Sequence, residues 1–297
     1  MIVMLSVILL NYNQPDMTID CIEYLLKNKT YYKDFEIIVI DNGSKDDSVV
    51  KLTNIANKYN LCFINNKENL GFAEGNNAGM RVARGEWILL LNNDTVFKEG
   101  FILKMAEAAM DNPDAAAIGP KIYYYDVPSK VWYSGGKITK YYNFIDDTSN
   151  ENEHYKQVEW ITGCALMINK KALEKVGLLD KDFFMYNEDV DWCIRARKAG
   201  LNLIYTPFAE IWHIGSKTTT ENFKKSFQIY YGYRNKLFII MKNSNGFEYI
   251  NLIFVTLSGI CLRIIESVMK GNFDSAKGYW FAMIDGLRYK PKKRFLQ

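Results

Sequence analysis

The densest chemistry in the chain is Met185-Tyr186-Asn187-Glu188-Asp189-Val190-Asp191-Trp192-Cys193, where three carboxylates fall within four residues. The segment reads as a helix start, and an acidic first turn is ordinary there because the helix dipole favours negative charge. On that helix Glu188 and Asp191 share one face with Trp192 packing beneath, whereas Asp189 points roughly 100° away at 3.6 residues per turn. The three acids therefore cannot share one role. Asp191 is spaced to pair with Arg195 at i,i+4, which is a structural use.

Four other residues have suggestive types and positions. Asp94, in Asn92-Asn93-Asp94-Thr95, follows the apolar run Ile88–Leu91 and is held at a sheet edge by a rigid strand. One carboxylate is a poor metal site, but Mg²⁺ is usually held by only one or two carboxylates, and a bound diphosphate can supply further oxygens. As a plain turn residue Asp94 would only open the loop towards Phe101. His213, one of two histidines, ends the apolar stretch Ala209–Trp212 and is either a ligand or a structural histidine. Asp41 stands where Phe35–Ile40 meets a turn; it can accept the imide N–H of a pyrimidine base or cap an Asx-turn. Tyr12 can stack on a base or fill a half-buried core position.

The elements that must position these residues alternate. Leu5–Leu10 is a continuous, β-branched-rich run, as expected of a parallel strand covered on both faces. A helix over Thr18–Asn28, a strand over Phe35–Ile40, a helix over Ser48–Tyr59, a strand at Cys62–Ile64, a helix over Gly75–Ala83 and a strand over Trp87–Leu91 follow. This order predicts a doubly wound α/β sheet, in which ligands bind outside the carboxyl ends of the strands. Asn11-Tyr12-Asn13, Asp41–Asp47 and Asn92–Thr95 are the turns that would meet there. Val127–Glu159 reads as an insertion with irregular strands. Trp160–Asn169 restores order, with helices over Lys171–Val176 and over Glu188–Ala199, the latter stopped by Gly200. From Phe223 the chain turns helical and aromatic, so a boundary is expected near residue 220, giving domains 1–220 and 221–297.

Composition narrows the classes. With 297 residues, 48% hydrophobic and a net charge of +3, the chain can bury a sizeable core, and its charge balance is too small to imply a nucleic-acid coat by itself. Five scattered cysteines fit a reducing, cytosolic compartment. The apolar N-terminus lacks a basic flank and a cleavage site, and reads as a strand. The stretch Tyr249–Cys261 is broken by Asn251, Thr256, Ser258 and Gly259 and falls short of the ~20 residues that span a bilayer. Contact with a membrane surface is the expectation instead. Arg288, Lys290, Lys292, Lys293 and Arg294 follow helices carrying Trp280, Phe281 and Ile253–Val255, a combination suited to anionic headgroups. A helical homodimer interface is the alternative. GxGxxG, GxxxxGK[ST] and GxSxG motifs are missing, so dinucleotide, P-loop and α/β-hydrolase chemistries lose their main support.

Taken in order, Val-Ile-Leu-Leu-Asn-Tyr-Asn (7–13), Val-Ile-Asp-Asn-Gly-Ser (39–44), Asn-Leu-Gly-Phe-Ala-Glu-Gly-Asn-Asn-Ala-Gly (69–79), Leu-Leu-Asn-Asn-Asp-Thr (90–95), Ile-Thr-Gly-Cys-Ala-Leu-Met-Ile (161–168), Tyr-Asn-Glu-Asp-Val-Asp-Trp-Cys (186–193) and Trp-His (212–213) resemble family 2 glycosyltransferases, especially the bacterial rhamnosyltransferase-like branch. The resemblance implies a glycosyltransferase A fold with a Rossmann-like, mostly parallel mixed sheet and a C-terminal helical appendage. It implies a UDP- or dTDP-sugar donor, Mn²⁺ or Mg²⁺, inversion at the anomeric carbon, and a saccharide or lipid-linked acceptor. The setting would be cell-surface polysaccharide synthesis at the cytoplasmic face of the plasma membrane.

By the same resemblance Asp189 is the catalytic base and Asp94 and His213 hold the metal. Asn11, Tyr12, Asn13, Asp41, Asn69, Asn76 and Asn93 line the nucleotide, and Glu188 and Trp212 face the acceptor. Two positions depart from the family pattern: Asn92 replaces the first aspartate of its Asp-x-Asp-like motif, and Asn76 stands where many relatives carry an arginine. The alternatives are a nucleotidylyltransferase, which would carry a Gly-rich basic loop where this chain has Asn-Tyr-Asn-Gln-Pro, and a non-catalytic nucleotide-sugar-binding protein.

Overall fold

The computed structural model describes residues 3–149, 153–215 and 224–289. The alternation is present as Leu5–Asn11 (β1), Pro15–Asn28 (α1), Phe35–Asn42 (β2), Ser48–Tyr59 (α2), Cys62–Asn66 (β3), Gly71–Val82 (α3) and Trp87–Asn92 (β4). β1 pairs in parallel with both β2 and β4, and β2 with β3. Leu5, Val7, Ile8 and Leu9 have no exposed surface, as a central strand covered by helices on both faces requires. Two helices start earlier than the apolar spacing indicates. α1 begins at Pro15, a proline suited to a first helical turn. α3 begins at Gly71, whose N–H is taken by the side-chain Oδ1 of Asn69 at 2.8 Å.

The sheet continues through Thr95–Phe97 (β5), Phe101–Asp111 (α4), Ala117–Tyr124 (β6), Val131–Tyr133 (β7), Gly136–Ile138 (β8), Phe144–Asp146 (β9), Lys156–Val158 (β10), Ala165–Asn169 (β11), Lys170–Val176 (α5), Glu188–Lys198 (α6) and Leu203–His213 (β12). Strand order is β10-β12-β6-β11-β4-β1-β2-β3, with β5 beside β12 and β7 beside β6. β11 is antiparallel to β4 and β6, which makes the sheet mixed. The insertion is less irregular than its composition indicates. β8 and β9 form a separate hairpin, and Gly136 bridges to Trp160.

Two compact units divide the chain: one comprises residues 1–138, 144–180 and 189–215, the other residues 139–143, 181–188 and 216–297. The boundary expected near residue 220 lies outside the described residues. In the second unit Lys225–Asn243 (α7), Gly246–Met269 (α8) and Phe273–Leu287 (α9) pack on one another. α8 buries Leu252, Thr256 and Ile260, a single i,i+4,i+8 stripe. Asn251, Ser258 and Gly259 do not interrupt it, so the apolar helix runs to 24 residues and is long and apolar enough to cross a membrane. Lys290, Lys292, Lys293 and Arg294 lie outside the described residues; Arg288 is exposed.

Candidate active site

Three strand ends are tied together by one buried polar chain. Asn11 Nδ2 donates to Asp41 Oδ2 at 2.8 Å, Thr18 Oγ1 to Asn11 Oδ1 at 2.8 Å, and Asn93 Nδ2 to Thr18 Oγ1 at 2.8 Å. Asp41 has no exposed surface, and its Oδ1 takes the Ser44 N–H at 2.9 Å, so the Asx-turn use is realised. Gly43 makes this turn possible: its φ is +77° and a Cβ there would lie 2.4 Å from the Glu68 carbonyl carbon. Tyr12 and Asn13 stand half-exposed above the chain, and Asn13 Oδ1 takes the Lys45 N–H at 2.8 Å. Thr18, which the sequence reading did not single out, is the link between β1 and the Asn93 turn.

Asn69 and Asn76 are less available. Asn69 Oδ1 takes Asn42 Nδ2 and the Gly71 N–H, and Asn76, buried, donates back to the Phe72 carbonyl at 2.9 Å. Both shape the α3 start.

Asp94 and His213 meet. β5 pairs with β12 so that Thr95 faces His213, and Asp94 Oδ2 lies 3.2 Å from His213 Nε2. Trp132 stacks on the imidazole at 4.7 Å. Burial works against the charged ring, but neighbouring Cys164 and Asp94 outweigh it and raise the His213 pKa to about 11. Burial also raises the Cys164 pKa. A carboxylate oxygen and an imidazole nitrogen are suitable donors for Mn²⁺ or Mg²⁺. No group of three or more His, Cys, Asp and Glu residues gathers into a metal cage among the described residues, so a cation here needs oxygens from a ligand and water.

The acids of α6 separate as the helix geometry requires. Asp191 is fully buried and takes Arg195 Nε at 2.8 Å, while the same guanidinium donates to the carbonyls of Val176 and Leu178. Asp189 is partly exposed; its Oδ2 takes the Gly163 N–H at 2.6 Å and its Oδ1 the Val190 N–H at 2.8 Å. Burial raises its pKa against the pull of those two donors. Asp146, at the end of β9, has its own pKa raised by burial and then by the charge of Asp189. Glu188 is buried.

The segment that leads into Glu188 and Asp189 is strained: Phe184, Tyr186 and Asn187 have φ of 65°, 69° and 67°. Left-handed backbone at such residues persists only where the surroundings over-determine it. Here α7 does so. Asn235 Nδ2 donates to the carbonyls of Phe183, Met185 and Tyr186, and Arg234 to those of Asp182 and Phe183. The buried guanidinium is covered by the rings of Tyr230, Tyr231 and Phe238. The sequence does not single out Arg234 and Asn235; their only signal is the polar run Arg234-Asn235-Lys236 inside an aromatic-rich helix. Trp212 is occupied: it stacks on Tyr123 at 5.4 Å, carries Lys98 over its ring and donates to the Pro128 carbonyl.

Sheet order and the carboxylate-bearing strand ends define a glycosyltransferase A fold, and solved structures agree with it. The mannosyltransferase PcManGT from Pyrobaculum calidifontis, in complex with GDP-Man and Mn²⁺, superposes with a TM-score of 0.61 at 12% identity, covering 98% of this chain and 88% of that one. GalNAc-T7 with UDP, GalNAc and Mn²⁺ gives 0.60 at 14% identity; 71% of this chain covers 44% of that protein. Residues 6–177 match the profile of Glycosyl transferase family 2, and the chain belongs to that family. Among its relatives is the dTDP-rhamnosyl transferase RfbF of Shigella flexneri, 24% identical over 95% of this chain and 94% of the relative. Another is the low-salt glycan biosynthesis hexosyltransferase Agl10 of Haloferax volcanii, 23% identical over 77% and 76%.

Proposed function

We propose that the chain is a divalent-cation-dependent, inverting glycosyltransferase. It takes a sugar from a UDP- or dTDP-sugar and passes it to a hydroxyl of a saccharide or lipid-linked acceptor. The setting is cell-surface polysaccharide synthesis at the cytoplasmic membrane face. The observation that carries this reading is the Asp94–His213 pair, 3.2 Å apart, together with a separately held carboxylate at Asp189. The Shigella relative makes a dTDP-linked deoxysugar the first donor to test.

In this reading Tyr12 stacks on the base, Asn11, Asn13 and Asn93 line the nucleotide, and Asp41 receives the imide N–H. Asn69 and Asn76 act through the shape of the α3 start. Asp94 and His213 hold Mn²⁺ or Mg²⁺, which when bound supplies Lewis-acid stabilisation of the departing diphosphate. Asp189 takes the acceptor hydroxyl proton as that oxygen bonds to the anomeric carbon from the face opposite the leaving group, and the anomeric C–O bond breaks with its electron pair leaving on the diphosphate. One base suffices for inversion. Glu188 orients the acceptor hydroxyls, with Trp212 a fixed wall.

Two variants test the assignment. Asp94→Asn is expected to abolish the Mn²⁺-dependent part of nucleotide affinity, measured by calorimetry. Asp189→Asn is expected to lower kcat by ~10²-fold or more while nucleotide affinity stays near normal. Unchanged metal-dependent affinity in the first, or an unimpaired rate in the second, moves the site elsewhere.

A further inference from the structure

The larger of the two best-formed cavities, about 270 Å³, is not at the Asp94–His213 pair. It lies within the helical unit, lined by Tyr141, Asn143, Tyr233, Lys236, Arg263 and the Leu252–Gly259 stretch of α8. Two cations and two phenols converge there, and no carboxylate is in the lining. Lys236 Nζ donates to Asn143 Oδ1 at 2.5 Å, and Asn143 is held by its loop, its N–H on Thr139 Oγ1 at 3.1 Å and its carbonyl on the Thr139 N–H at 3.0 Å. Arg263 lies over the Tyr233 ring, 6.0 Å from its centroid. Lys236 is half-buried, and burial pushes its pKa down. A desolvated ammonium without a carboxylate beside it is stabilised by any anion that enters.

The shape of that anion is constrained. A lysine ammonium and an arginine fork lining one cavity suit a phosphate, which can accept from both. The volume is below the ~300–1,000 Å³ of pockets that enclose drug-sized ligands, so a phosphate or diphosphate fits and a whole nucleotide sugar does not. One wall is α8, which then presents Ile250 (63% exposed), Phe254 (69%), Leu262 (67%) and Ile265 (56%) to the outside. An apolar helix face this open, running from a cationic cavity, matches an amphiphile with a phosphate head and a hydrocarbon tail.

We infer that the cavity between Lys236 and Arg263 binds the phosphate or diphosphate headgroup of a membrane lipid, whose chain lies along the exposed face of α8. The inference rests on the membrane-surface part of the function proposed above and names the headgroup that part requires.

The test is co-sedimentation of the full chain with phosphatidylcholine vesicles alone, or containing a few mole per cent of a polyprenyl monophosphate, phosphatidic acid or phosphatidylserine. The two phosphomonoester lipids are expected to bind at least about tenfold more tightly than phosphatidylserine at equal charge density, since the site reads the phosphate rather than surface charge. Lys236→Gln with Arg263→Gln is expected to erase that preference, and Lys236→Arg to keep it. Phe254→Ser with Leu262→Ser is expected to release the protein from all vesicles while inorganic phosphate still raises its melting temperature. Equal binding to phosphatidylserine, or an unaltered preference in the double glutamine variant, overturns the lipid assignment. Nucleotide–Mn²⁺ affinity of each variant separates the two readings. Its loss in every protein, wild type included, would fail the transferase proposal and leave the lipid result intact, whereas a lost lipid preference with normal nucleotide affinity would fail only this inference.

Discussion

Asp189 is a base candidate because two opposing effects act on one carboxylate. The Gly163 and Val190 N–H groups favour the ionised form, and burial, the larger effect, disfavours it. The net upward shift makes the group a better proton acceptor than an ordinary aspartate. A base works only when ionised, so kcat should fall on acidification with a midpoint above the ordinary value of 3.8. Folding stability should move the other way. The group's contribution is full below the unfolded pKa and is lost as pH rises through the raised folded one. A kcat profile that stays flat down to the ordinary value would remove Asp189 from the role. Gly163 allows a second check. A Cβ there would lie 3.2 Å from Phe72 and 3.4 Å from Asp189 Oδ2. Gly163→Val should therefore displace the N–H donor, lower kcat by about tenfold and move the acidic limb to higher pH, because the ionised form loses a partner.

At the scale of elements, the acid-bearing turn is held by α7 rather than by its own sequence. Removing the Asn235 amide leaves the carbonyls of Phe183, Met185 and Tyr186 without that donor, and truncating Arg234 does the same for Asp182 and Phe183. Asn235→Ala is expected to cost about 2 kcal/mol or more of stability, because buried carbonyls lose their partner. It should also lower kcat more than it raises the nucleotide Kd, a split that uniform destabilisation would not give. Chemical denaturation and steady-state kinetics on the same preparation check both parts. The elements themselves were legible where hydrophobic period fixes them: β1, β2 and β4 are continuous apolar runs that end in polar turns, and parallel burial makes both features obligatory. Asp191 and Arg195 were legible for the same reason, since an i,i+4 pair is local. What escaped is non-local. Nothing near Asn235 announces that it caps a segment about 50 residues earlier, and nothing near Trp212 announces that Tyr123 and Lys98 cover it. Asn69 and Asp41 read equally well as ligand contacts and as turn staples because one amide or carboxylate serves both.

For the whole molecule, the two compact units do not follow a single cut in the chain. Lys181–Glu188 belongs to the unit that contains the C-terminal helices, although the sheet resumes at β12 only after it. The family match also ends at residue 177, ahead of this segment. A chain ended after Gly215 would keep β1–β12, the polar chain from Asp41 to Asn93, and the Asp94–His213 pair. It would lose α7, and with it the Arg234 and Asn235 donors that hold the left-handed backbone before Glu188. Because a ligand that binds only the folded state raises apparent stability, a nucleoside diphosphate with Mn²⁺ should still raise the melting temperature of this shortened chain. Transfer should fall by ~10²-fold or more, since a misplaced base forfeits orientation rather than affinity. A melting shift without transfer supports helices that build the catalytic turn. Transfer at the full-length rate, on a soluble acceptor and in the absence of vesicles, would instead leave the helices without a part in the transfer step.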